Sequence, residues 1–323
     1  MLISKNVNQI SINFLNFLKS MMNQSKVNYT KFESWILAAR PKTLFAALVP
    51  ILVGSSLAIK QGKFIFFYSL LALICSILIQ IGTNLTNDLY DHLRGADNKQ
   101  RKGPIRVIAS GLISIKEIKI AIFICFSLTF LIGLYLVYVT DWKIFLIGVL
   151  SIIAGLAYTA GPFPLAYNGL GDLFVFLFFG IVATMGTYYL HKMEISLISF
   201  LVSIPVGCLI TNILIVNNFR DIEEDKNANK KTLAVILGKK FTQYEYSFLM
   251  FLSFLILPVL FFYYDFSFFV LLPFLTIPLA IRLNKMLFTF TGSELNQTLE
   301  KTAKYSALFG LLFSAGIIAD KFH

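Results

Sequence analysis

Of the 323 residues, 57% are hydrophobic and only 14% are charged, and the mean hydropathy is +0.75. A typical soluble domain carries about 25% charged residues; here there is too little polar sequence to cover an aqueous surface, so the bilayer must solvate much of the chain. The net charge of +11, from 28 Lys and Arg against 17 Asp and Glu, suits positive loops and anionic lipid headgroups in so apolar a chain, and argues against nucleic acid as a partner.

In chain order, residues 1–32 form an N-terminal extension that mixes apolar and polar positions. An interfacial amphipathic helix and a poorly ordered segment are both open readings of it. Residues 33–323 read as an all-α, polytopic membrane helix bundle. A spanning helix needs about 20 residues. Apolar segments of roughly this kind recur at about 43–60, 65–86, 117–138, 143–160, 171–190, 196–217, 245–264, 267–286 and 304–320, predicting nine transmembrane helices. Cys75, Cys125 and Cys208 lie inside such runs with no CxxC pair, which implies neither a disulfide framework nor a zinc site. Nine crossings put the termini on opposite sides. With the N-terminus inside, 23 of the 28 Lys and Arg fall on inside segments and 5 on outside ones. The positive-inside rule therefore predicts a cytoplasmic N-terminus and cytoplasmic loops at 87–116 and 218–243, in a cell inner membrane.

Those two loops carry most of the acids. The second apolar segment ends in Asn84, Asn87, Asp88 and Asp91, three or four apart and so on one helical face. Carboxylates at the end of an apolar helix are costly unless something offsets their charge. Mg²⁺ does so, because it is commonly held by a few carboxylates while phosphate oxygens complete its shell. Arg94 and Arg106 follow, either as ordinary positive-inside charge or as partners for phosphate oxygens. The sixth segment ends in Asn217, Arg220, Asp221 and Asp225, with Asn217, Asp221 and Asp225 at i, i+4 and i+8. One such cluster reads as solvated loop acids as readily as a site. Two on the same side of the membrane, each closing an apolar helix with Asn and then Asp, predict a pair of Mg²⁺ sites, Asp88/Asp91 and Asp221/Asp225, that together hold a diphosphate. Neutralising a leaving diphosphate would favour rupture of its C–O bond.

At these residues the chain resembles the UbiA superfamily of intramembrane aromatic prenyltransferases, over about residues 33–320. Within it the chain is most similar to the 1,4-dihydroxy-2-naphthoate polyprenyltransferases. The resemblance rests on Trp35-x-x-Ala-Ala-Arg40-Pro41-Lys42-Thr43-Leu44, Asn87-Asp88-x-x-Asp91, Gly103-Pro104-Ile105-Arg106, Tyr158-Thr159-Ala160-Gly161-Pro162 running on to Tyr167 and Gly171-Asp172, and Asn217-Asn218-x-Arg220-Asp221-x-x-x-Asp225 followed by Lys231-Thr232-Leu233. It implies nine membrane helices, two cytoplasmic Asp-rich motifs, Mg²⁺, a polyprenyl diphosphate donor and an aromatic acid acceptor that loses CO₂ on alkylation. The family's first motif often has a third Asp where this chain has Gly95; the next acid, Asp97, is not expected to be a direct ligand. Asn229 stands where the family often has Gly, and Asn tolerates the positive φ such a turn needs.

Arg40 and Lys42 flank Pro41 and either anchor the interface or contact diphosphate or an acceptor carboxylate. The resemblance places Tyr158 near the donor. Asp172 is either a helix cap or a substrate contact. His92 and His191 are not expected to act as bases. Two alternatives stay open: the same chemistry on 4-hydroxybenzoate, homogentisate or haem, and a transporter, since intramembrane acids often mark ion pathways.

Overall fold

A computed structural model describes residues 29–96, 103 and 105–322. Residues 1–28, Asp97 and the Lys42 side chain lie outside the described residues. Helix α1 (Lys31–Ala39) starts at a capping box, in which Thr30 Oγ1 accepts the Glu33 N–H at 3.2 Å and Glu33 Oε2 accepts the Thr30 N–H at 2.8 Å. It ends at Arg40, held in the left-handed region at φ 52° immediately before Pro41. The chain then runs through α2 (Phe45–Lys60), α3 (Phe66–Leu93), α4 (Ile115–Val139), α5 (Lys143–Ala157), α6 (Gly171–Lys192), α7 (Leu197–Arg220), α8 (Ile222–Asn227), α9 (Leu233–Tyr263), α10 (Phe268–Thr289) and α11 (Leu295–Ala319).

Each of the nine expected segments coincides with a helix. Seven of them are long and apolar enough to cross a membrane, while α2 and α5 are shorter, at 16 and 15 residues. The expected boundaries at 65–86, 245–264 and 304–320 fall short of α3, α9 and α11. Hydropathy marks the stretch facing lipid, whereas backbone hydrogen bonding carries a helix on into polar sequence. The expected end of α5 at 160 is too late, because the Gly161–Pro164 stretch stops it at Ala157. Two further departures follow from local backbone. The Phe176–Val182 part of α6 is π-helical, and Gly238 interrupts α9 at φ 79° and ψ 175°, a conformation open to glycine.

Helix α7 is the most enclosed of the long spans. It shares one apolar core with α2, α9, α10 and α11, in which Leu57, Tyr246, Leu257, Phe309 and Phe313 are fully buried. Small residues allow a close crossing: a methyl group added at Gly180 of α6 would lie 2.3 Å from the Cα of Gly207 on α7. A smaller cluster matters more for the site. Leu85 and Leu89 of α3 pack with Val107, Ile108, Ile113 and Ile118, which seats the segment from Val107 onward on the C-terminal end of α3. This burial fixes the position of Arg106.

The opposite end of the bundle is closed by paired polar groups. Lys60 forms an ion pair with Asp320 and stacks 4.1 Å over the Phe266 ring, and Asp320 also accepts the Ser267 N–H. His191 accepts the Ile65 N–H on Nδ1 at 3.2 Å, which leaves Nε2 to donate to Ser69 Oγ at 3.0 Å. It therefore caps the start of α3, far from the acidic clusters.

Candidate active site

The C-terminal ends of α3 and α7 bring both clusters beside one cavity of about 620 Å³, which Asp91 and Asp221 line. Asp88, Asp91, Asp221 and Asp225 are between 3 and 8% exposed, and each is neutralised by a cation of the chain. Arg106, itself 7% exposed, donates from Nη1 to Asp88 Oδ1 at 3.2 Å and from Nη2 to Asp91 Oδ2. The Ile108 N–H adds a bond to Asp88 Oδ2 at 3.3 Å, and Arg40 Nη2 stands 3.9 Å from Asp88 Oδ1. In the second cluster Arg220 grips Asp221 with a fork, Nε to Oδ1 at 2.6 Å and Nη2 to Oδ2 at 2.7 Å. The same guanidinium donates to Asn217 Oδ1 and to Asn296 Oδ1, both at 2.8 Å. Lys230 Nζ is 3.5 Å from Asp225 Oδ1.

The i, i+4, i+8 spacing of Asn217, Asp221 and Asp225 runs across a break in the helix. Helix α7 ends at Arg220, Asp221 leaves helical geometry at φ −97° and ψ 8°, and Asp225 belongs to α8. The i to i−4 bonds nonetheless continue, from Asp221 N–H to the Asn217 carbonyl at 3.2 Å and from Asp225 N–H to the Asp221 carbonyl at 2.8 Å, so the three side chains stay on one side. Asn229 closes the following turn at φ 54°, the positive value expected of it.

Arg40, Asn84, Asn87, Asp91, Arg106, Tyr158, Asn217 and Asp221 line the cavity together with Lys230. Asp88, Asp225, Arg94, Asp172 and Arg220 are not among its lining residues. Asn84 donates to the Ala39 carbonyl at 3.1 Å and to Thr43 Oγ1 at 3.2 Å, which pins the Arg40–Pro41 turn to α3. Asn87 Oδ1 accepts from Thr159 at 2.7 Å and ties α3 to the segment after α5. Arg94 is exposed and donates to the Gly161 carbonyl at 3.0 Å. Asp172 lies buried in the first turn of α6, but the cap position is Leu170 and no side chain caps that end, so its reading as a helix cap does not hold.

Besides Lys230, sequence reasoning missed three contributors. Tyr167 donates its hydroxyl to Asp91 Oδ1 at 2.8 Å. Burial, and next the charge of Asp91, raise the Tyr167 hydroxyl above its ordinary range. Asn296 reaches the site from α11, 76 positions after Arg220, and nothing local marks it. The π-helical turn of α6 directs Phe178, Phe179 and Val182 into the cavity wall; such turns recur at functional sites.

Away from the acids the wall turns apolar and continues to Ala72, Leu136, Ile144 and Leu190. Between Asp91 and Ala72 on α3, a rise of 1.5 Å per residue gives about 28 Å, close to the full hydrocarbon thickness. The donor set fits a hard divalent cation: two buried carboxylates near each helix end, of which Asp91 and Asp221 face the cavity. Among the described residues no three His, Cys, Asp or Glu gather into a metal site by themselves. A metal here would therefore complete its shell with oxygens from a bound anion and water, as Mg²⁺ does with phosphates.

A membrane helix bundle with acid-closed helix ends over a long apolar cavity is the architecture of an intramembrane enzyme that handles an amphiphile with an anionic head. The chain belongs to the UbiA prenyltransferase family, whose profile matches residues 47–299. It is 36% identical over 309 residues to the 1,4-dihydroxy-2-naphthoate octaprenyltransferase of Haemophilus influenzae, covering 92% of this chain and 99% of that protein. It is also 36% identical over 307 residues to the Escherichia coli protein of the same description, covering 93% and 99%. A solved UbiA homolog from Archaeoglobus fulgidus, bound to DMAPP and Mg²⁺, matches the fold with a TM-score of 0.66 at 18% identity, over 88% of this chain and 99% of that one.

Proposed function

We propose that the chain transfers a polyprenyl group from polyprenyl diphosphate to 1,4-dihydroxy-2-naphthoate, releasing CO₂ and diphosphate and giving the demethylmenaquinone skeleton. The observation that carries this reading is one cavity that Asp91 and Asp221 line at one end and that runs on, between mostly apolar walls, to Ala72 about 28 Å along α3, in a chain so similar to naphthoate prenyltransferases throughout its length.

Asp88 and Asp91 on one side and Asp221 and Asp225 on the other would hold Mg²⁺. Bound there, the metal supplies positive charge to the departing diphosphate oxygens. Arg40 and Lys230 line the same end of the cavity and orient the diphosphate by charge. Arg106 holds Asp88 and Asp91 aligned. Phe178, Phe179 and the neighbouring apolar wall exclude water from the allylic carbon, which protects the cation from hydrolysis. As the C–O bond breaks, the electron-rich ring forms the new C–C bond. The acceptor carboxylate leaves as CO₂ and its bonding pair stays with the ring, so no side chain has to remove a proton. The excess of Lys and Arg on loops at the site end orients this face to the cytoplasm of an inner membrane, with the N-terminus on the same side.

The test is an acceptor panel with purified protein, Mg²⁺ and a polyprenyl diphosphate. Turnover is expected with 1,4-dihydroxy-2-naphthoate and to vanish with EDTA. Activity confined to 4-hydroxybenzoate, homogentisate or haem would overturn the choice of acceptor.

A further inference from the structure

We infer that Tyr167 is a positioning residue that joins the two acidic clusters into one diphosphate site; this rests on the function proposed above. Its hydroxyl bonds Asp91 of the first cluster at 2.8 Å. Two cations stand over its ring, the Arg94 guanidinium carbon 4.7 Å and Lys230 Nζ 5.5 Å from the ring centroid. Lys230 in turn pairs with Asp225 of the second cluster. The Tyr167 carbonyl accepts the Lys231 N–H at 3.2 Å, and Asn168 pairs with Lys231 across an isolated β-bridge, so the backbone makes the same connection as the ring. One residue thus touches α3 through its hydroxyl and the α8–α9 connection through its ring and carbonyl. Tyr167 does not line the cavity, so it acts through Asp91 and Lys230 and not on the substrate.

A diphosphate bridging two metal-bearing clusters needs them at a fixed separation, and the chain between α5 and α6 supplies that constraint. A hydrogen bond to a ligating carboxylate also orients it, and losing such a partner typically costs about 10–100-fold in metal affinity. Tyr167→Phe removes the hydroxyl and keeps the ring with its two cations. Tyr167→Leu removes both.

The experiment measures Mn²⁺ binding by electron paramagnetic resonance on the full-length protein in detergent, with and without inorganic pyrophosphate, alongside the apparent melting temperature. The parent protein is expected to bind Mn²⁺ more tightly with pyrophosphate present. Tyr167→Phe should weaken that binding about tenfold while melting like the parent, and should raise the KM for Mg²⁺ in turnover more than it lowers kcat. Tyr167→Leu should lose more, because Lys230 and Arg94 lose their shared platform. Equal Mn²⁺ and pyrophosphate affinity in the parent and Tyr167→Phe overturns the inference and leaves the enzyme reading standing. A parent that does not bind Mn²⁺ with pyrophosphate sinks both. If Tyr167→Phe melts well below the parent, Arg94→Gln, which removes one of the two cations at the ring, decides: unchanged Mn²⁺ and pyrophosphate affinity there overturns the inference, and weakened affinity supports it.

Discussion

Asp91→Asn is expected to lower kcat/KM about 10³-fold, or roughly 4 kcal/mol of lost transition-state stabilisation, without unfolding the protein. Asp91 lines the cavity, accepts from Tyr167 and pairs with Arg106. The amide keeps the side-chain shape and removes the charge that would meet a divalent cation. Arg106 retains Asp88 as its anionic partner at 3.2 Å, so the substitution does not strand a buried guanidinium. Steady-state kinetics across a Mg²⁺ titration, with an apparent melting temperature measured in parallel, checks this. A loss below tenfold at saturating Mg²⁺ would mean that the first cluster is not a metal site.

Arg220→Ala should act on the fold as well as on turnover. Arg220 is 4% exposed and binds Asp221, Asn217 and Asn296 at once. Its loss removes the cation that balances buried Asp221, and breaking a buried pair in this way costs about 3–5 kcal/mol. Arg220→Lys should recover little, since an ammonium cannot form the two-pronged grip on Asp221 while also reaching Asn296. The measurement is the apparent melting temperature in detergent together with activity. An Arg220→Ala protein that melts like its parent would show the network to be dispensable for the fold.

These two sites also show how much the chain declares in advance. Long apolar runs are set by the bilayer thickness, and acids that close an apolar helix need a counter-charge, so the existence of α3, α7 and their clusters is legible from one-dimensional spacing. The partners are not. Arg106 reaches Asp88 and Asp91 because Val107, Ile108 and Ile113 dock on Leu85 and Leu89, and that docking is tertiary. Asn296 carries no local signal for the same reason, and Tyr167, though part of a family motif, carries nothing in one dimension that ties it to Asp91. The i, i+4, i+8 spacing of Asn217, Asp221 and Asp225 is legible in the sequence, whereas the backbone break at Asp221, which leaves that spacing intact, is not. The N-terminal extension of α11, which delivers Asn296, was hidden because its first turns are polar and the apolar signal starts later. The π-helical turn in α6 depends on packing and has no residue signature.

The most direct test of the account follows the acceptor's carboxyl group. Purified protein, Mg²⁺ and a polyprenyl diphosphate are mixed with 1,4-dihydroxy-2-naphthoate labelled in that carboxyl, and released label is compared with prenylated naphthalene product. The account predicts one labelled CO₂ and one diphosphate for each product formed, all of it abolished by EDTA. Product that retains the label, or turnover that continues without divalent metal, would contradict it.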